Sequence, residues 1–149
     1  MKYEVIYLIG KEIGEITKNT EFGIYGRLNN TIELGINQLE AIEVATRDEI
    51  QTGPAKIICT LEDGKRQEYN IEIQKIDKNN NENNKSMLLK VTDNELLEKT
   101  GGIIQGMSGS PIVQNGKFIG AITHVLVNDP QVGYGVFADI MIKSSKEVK

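Results

Sequence analysis

An all-β fold centred on a six-stranded antiparallel barrel is what this sequence predicts, on three observations. Apolar residues alternate with polar ones over short stretches, as Tyr69, Ile71 and Ile73 do with Asn70, Glu72 and Gln74, the period of a strand with one buried face. The dipeptides Asp63-Gly64 and Asn115-Gly116 stand between such stretches and read as hairpin turns. Counting from Pro54, a glycine-rich run, Gly106-Met107-Ser108-Gly109-Ser110-Pro111, separates three expected strands from three more.

Taken in order, the pattern predicts strands over Tyr3 to Ile9, Phe22 to Leu28 and Ala41 to Thr46. Gly53-Pro54 then interrupts the chain. Beyond it, strands are expected over Ala55 to Leu61 and Gln67 to Ile76. Residues 78–85, Lys-Asn-Asn-Asn-Glu-Asn-Asn-Lys, offer nothing to a core and predict an exposed, mobile loop. After a strand over Ser86 to Val91, Thr92 or Asp93 would cap a short helix. Glu95 stands at capping-box spacing from Thr92, and Gly101-Gly102 would end the helix. The last strands are expected over Pro111 to Gln114, Lys117 to Val125 and Gly133 to Ala138. The residues before Pro54 supply too few strands to close a barrel, which suggests that the start of the fold is missing.

The 149 residues suit one ordinary domain, and 39% hydrophobic with 26% charged residues is the balance of a globular protein. A net charge of −4 with scattered lysines and arginines argues against a nucleic-acid surface. No stretch approaches the ~18 apolar residues of a membrane helix, and Tyr3 to Ile9 is too short for a signal sequence. Cys59 is the single cysteine, which excludes an internal disulfide or a cysteine-based metal site; a buried structural thiol is expected. Asn128-Asp129-Pro130 reads as a turn rather than a calcium site. No cofactor or metal is predicted.

A serine hydroxyl attacks a carbonyl at neutral pH only when a base takes its proton and donors await the oxyanion. Gly106 and Gly109 permit a tightly bent backbone with no side chain in the way of a substrate. Bent suitably, the loop would bring the N–H groups of Gly106 and Ser108 to one place. Alone, the run also reads as a flexible turn. The downstream order discriminates: a hairpin, a strand carrying Gly120-Ala121-Ile122-Thr123-His124, and a closing strand with Gly133-Tyr134-Gly135-Val136-Phe137. Trypsin-like peptidases show that order after their nucleophile.

Several segments closely resemble the SpoIVB peptidases, the stage IV sporulation serine peptidases of endospore-forming bacteria. They are Thr92-Asp93, the run from Thr100 to Ile112, Gln114 to Lys117, Thr123-His124-Val125, Val127 to Pro130 and Gly133 to Val136. Upstream, Phe22 to Gly26 and Gly53-Pro54-Ala55 extend the likeness, which covers about residues 14 to 140. The resemblance implies a trypsin/chymotrypsin-like fold: a complete barrel over residues 54–142, a remnant of a first barrel and its connection over 1–53, and a tail over 143–149. It implies Ser108 as nucleophile, Asp93 as catalytic acid and the Gly106 and Ser108 amides as oxyanion hole. Thr123, His124 and Gly135 would line the substrate cleft. Family members are signalling proteases that process themselves and cleave a regulator of an intramembrane protease, in the space between the mother-cell and forespore membranes. Complete members also carry a membrane segment and a PDZ domain.

The family's catalytic histidine lies in a Gly-His-Gly-type segment upstream of the region matching Phe22. His124, the sole histidine here, matches a different position. The expectation is therefore a truncated peptidase domain without its base, inactive as this chain, with a protein or peptide as the natural substrate. Two rivals stand beside it: His124 as the base, and a non-catalytic peptide-binding or regulatory module that kept the barrel.

Overall fold

The computed structural model describes residues 13–29, 40–61 and 64–148. Strands β1 (Gly14–Thr20) and β2 (Gly23–Leu28) form an antiparallel hairpin. Six further strands are β3 (Gly53–Thr60), β4 (Arg66–Ile76), β5 (Met87–Val91), β6 (Pro111–Gln114), β7 (Lys117–Leu126) and β8 (Asp129–Phe137). They close an antiparallel barrel in the order β3-β4-β5-β8-β7-β6. Helix α1 (Asn94–Thr100) links β5 to the Ser108 loop, and α2 (Ala138–Lys146) follows β8.

Alternation drives the closure. Tyr69, Ile71 and Ile73 of β4, Met87, Leu89 and Val91 of β5 and Ile57 of β3 are each at most 2% exposed. Each buried apolar side chain contributes about 1.5–3 kcal/mol, and a barrel this narrow has room inside only for side chains. Gly135 shows how tight the fit is: a Cβ there would lie 2.8 Å from Ile112 Cδ1. Buried Gln114 fastens the approach to β3, accepting the Gln51 N–H and donating to the Gln51 and Pro54 carbonyls.

Four expectations change. Ala41 to Thr46 is not a strand; it makes one parallel bridge, Val44 to Phe118. The reason is room: β8 ends at Phe137, opposite Gly120, so only the first residues of β7 offer an open edge on that side. β1, not foreseen, pairs with β2; its one apolar residue, Ile16, is 68% exposed, so it lacks the buried alternation by which a strand is read. The expected tail is largely helix α2, with half-buried Ile140 packed against the core. In the asparagine-rich loop Asn80 is buried, and its side-chain oxygen accepts the Glu82 and Asn83 N–H groups. Short polar side chains bonding nearby backbone give this loop its own structure. The strand expected over Tyr3 to Ile9, and Asp63 of the first hairpin turn, lie outside the described residues.

Candidate active site

The loop from Ile104 to Ser110 is two consecutive turns. Met107 N–H donates to the Ile104 carbonyl at 3.1 Å, and Ser110 N–H donates to the Met107 carbonyl at 3.0 Å. The third residue of each is a glycine with positive φ, Gly106 at 98° and Gly109 at 89°, the conformation that favours glycine there. Gly109 N–H donates to the Ile122 carbonyl at 2.8 Å, and Ile122 N–H to the Ser110 carbonyl at 3.0 Å, which ties the loop to β7. Met107 points into the core and Ser108 is exposed. Among the described residues, the N–H groups of Gly106 and Ser108 donate to no protein group.

The Ser108 hydroxyl donates to the Thr123 carbonyl at 2.9 Å. Thr123 is itself held: its own hydroxyl donates to the Asn84 carbonyl at 2.7 Å and the Tyr134 carbonyl at 3.2 Å. A cleft of about 970 Å³ opens beside the loop, with Cys59, Leu61, Lys99, Thr100 and Gln105 among its walls. Cys59 is half-buried against the core, and burial pushes its thiol pKa up, so it stays protonated at neutral pH.

Asp93 is the N-cap of α1. One carboxylate oxygen accepts the Leu96 N–H at 3.1 Å, and the other accepts the Asn70 backbone N–H at 3.0 Å and its side-chain amide at 3.3 Å. The cap expected at Thr92 or Asp93 thus falls on Asp93, while Glu95 pairs with Lys99 instead of closing a box. Gly101, at φ 74°, ends the helix as expected. Asp93 does not border the Ser108 cleft; Lys99 and Thr100 do, and the seven-residue helix between spans about 10 Å. His124 is exposed on β7 opposite Tyr134. The Ser108 proton is directed to Thr123 and not to the His124 imidazole. Gly135 is buried against Ile112 and Met87 in the barrel interior.

Sequence reasoning did not find the cleft walls at Cys59, Leu61 and Thr100, or Asn84 behind Thr123. Their roles arise from strand pairing across tens of residues and leave no local mark. Met107 was within reach, as an apolar residue set between two exposed glycines.

Among solved structures, the chain resembles the Rv3671c protease of M. tuberculosis. Against the active form the TM-score is 0.62 at 10% identity, covering 89% of this chain and 56% of that one. Against the inactive form it is 0.59 at 10% identity, covering 91% and 66%. This chain thus spans somewhat over half of the protein it superposes on, and the likeness places the barrel and hairpin in the trypsin-like fold. No curated protein sequence matches it. The model of the SpoIVB peptidase S55 family matches residues 2–142. By that match, over nearly all of its length, the chain belongs to the SpoIVB peptidase family.

Proposed function

We propose that this chain is the nucleophile-bearing part of a SpoIVB-type signalling serine peptidase that cleaves protein substrates by acyl transfer. The observation that carries the proposal is an exposed Ser108 set between two glycine turns, with the Gly106 and Ser108 amides unpaired beside an open cleft. Ser108 Oγ attacks the scissile carbonyl, its proton passing to a base. The two amides receive the oxyanion; removing one such donor costs about 3–4 kcal/mol. β6 leaves β7 at Pro111, opposite Ala121, so the β7 edge from Thr123 to Leu126 is open for an extended peptide to pair with. In this reading Thr123 and His124 line the substrate cleft.

The base is an imidazole other than His124, in the Gly-His-Gly-type segment that the family resemblance assigns. Since His124 is the only histidine of these 149 residues, that imidazole comes from further polypeptide. Asp93 is the orienting acid in this proposal, and residues 1–53 belong to the first barrel. By family the substrate is a regulator of an intramembrane protease or the peptidase itself, met outside the cytoplasm during sporulation.

The test is turnover of a peptide ester and labelling of Ser108 by a fluorophosphonate, read by mass spectrometry. The chain alone should hydrolyse no faster than its Ser108→Ala variant. Adding the polypeptide that bears the Gly-His-Gly segment should bring on hydrolysis and labelling that Ser108→Ala abolishes. Fast hydrolysis by the chain alone, lost in both Ser108→Ala and His124→Ala, would instead make His124 the base. The Ser108–Thr123 bond favours a second reading, a peptide-binding module with its serine tied down. Peptide binding without labelling in the presence of that polypeptide would select it.

A further inference from the structure

We infer that Met107 is the positioning residue of the oxyanion loop, setting the angle between the Gly106 and Ser108 amides; the inference rests on Ser108 being the nucleophile. The two turns of the loop share one residue. Met107 closes the first through its N–H and opens the second through its carbonyl. The amides of interest lie on either side of it, so rotation about the Met107 backbone would swing one relative to the other. Neither turn's own hydrogen bond resists that rotation, because each lies wholly on one side of the joint.

The Met107 side chain supplies the restraint. It is 4% exposed and packed in the core, and its sulfur accepts the Ile104 N–H at 3.4 Å. Ile104 and Met107 are therefore bonded twice, through the Met107 N–H to the Ile104 carbonyl and the Ile104 N–H to the Met107 sulfur. The second bond spans the N–Cα axis of Met107, so it resists rotation about φ, which would swing the Ser108 amide relative to that of Gly106, and it fixes the χ angles as well. A thioether suits the place, being a long unbranched apolar chain with a weak acceptor near its tip. Leucine would fill the space and leave the Ile104 N–H without its acceptor. Burial of Met107 also turns the neighbouring Ser108 side chain outward, so one anchored residue aims both the hydroxyl and the donors.

Met107→Leu tests this, since it keeps volume and removes only the acceptor. By amide NMR, the Gly106 and Ser108 signals should shift while those of β4 and β5 stay. Exchange of the Ile104 amide should rise about tenfold, the order of one lost hydrogen bond. Labelling of Ser108 by a fluorophosphonate, with the histidine-bearing polypeptide present, should slow by a similar ~10-fold at a nearly unchanged melting temperature. Native amide positions with native labelling would overturn the inference and leave Met107 as core filling. If the variant does not fold, exchange in the unaltered chain decides: the Ile104 amide must be protected although the residue is 42% exposed, and an unprotected amide overturns the inference. Should the native chain resist labelling under every condition, the peptidase reading fails, while the Gly106 and Ser108 amide shifts still judge Met107.

Discussion

One carboxylate at Asp93 serves two elements, stopping the first turn of α1 from fraying and holding that turn to Asn70 of β4. The proposal adds a third duty, orienting the catalytic imidazole, and two substitutions separate the duties. Asparagine keeps one acceptor oxygen for the Leu96 cap but turns an NH2 towards the two Asn70 donors, so Asp93→Asn should lower stability by about 1 kcal/mol while keeping the helix capped. Asp93→Ala should lower stability by about 1–2 kcal/mol, through the lost cap and the two Asn70 donors left without their acceptor. If the charge also orients an imidazole, Asp93→Asn should cut peptide-ester turnover in the completed enzyme by up to ~10⁴-fold, far more than its small loss of stability would. Native turnover in that variant would remove Asp93 from the mechanism and leave it a cap. The capping duty was legible beforehand, because cap, helix and stop lie within ten residues of sequence. The contact with Asn70 was not, since it joins segments that only strand pairing brings together.

Arg47 does for elements what Asp93 does for one helix. It sits in the 3-10 turn Arg47–Glu49. Its guanidinium donates twice to Asp139 of α2, at 2.7 and 3.2 Å, and to the carbonyls of Lys78 and Asn80 in the asparagine-rich loop. It also lies 4.7 Å from the centre of the Phe137 ring at the end of β8. Arg47→Ala should therefore destabilise the chain by about 2–4 kcal/mol, as expected for a charge-assisted forked pair with further acceptors left bare. Arg47→Lys should recover little of this, since an ammonium cannot fork. Thermal unfolding of the two variants checks both, and near-native stability in either would mean that loop and helix dock without the guanidinium. Such a rivet has no sequence signature, and its absence from view explains why residues 78–85 read as featureless. The strands β3 to β6 were legible because burial writes a period of two into each, and β7 because a short apolar run follows the Asn115-Gly116 turn. β1 was not, because Gly14–Thr20 holds a single apolar side chain, Ile16, and buries none; the short α2 follows β8 without a break, so its start reads as strand and its end as a tail.

Across the whole molecule, two kinds of force hold two kinds of structure. The barrel is held by apolar burial and a closed ladder, neither of which titrates. The parts outside it add ion pairs to a few apolar contacts such as those of Ile50 and Ile140. Lys117 at the start of β7 bonds Glu43 at 2.8 Å and Glu49 at 2.6 Å, and Lys18 of β1 bonds Glu147 beyond α2 at 2.5 Å. The Lys117 bond, with the Thr46 N–H and hydroxyl, lowers the Glu49 pKa from 4.5 to about 2. Glu43 and then Glu49 raise that of Lys117 from 10.5 to about 12. The Lys18 bond likewise holds Glu147 below its usual 4.5. A carboxylate whose folded pKa is depressed lends stability above its unfolded value, which is lost as pH falls through the folded one. A raised lysine lends stability below its unfolded value and loses it as pH rises through the folded one. The Glu49–Lys117 fastening is thus whole between about pH 4.5 and 10.5 and fails in acid towards pH 2 and in base towards pH 12, and the Glu147–Lys18 one weakens as pH falls below 4.5. All are exposed, so salt should weaken them too. Hydrogen exchange should then show the β1–β2 amides losing protection on going from pH 6 to pH 3, after correction for intrinsic rates, while those of β4 and β5 hold. Loss of protection in hairpin and barrel together would mean that the chain opens as one unit and that its ion pairs do not set the order.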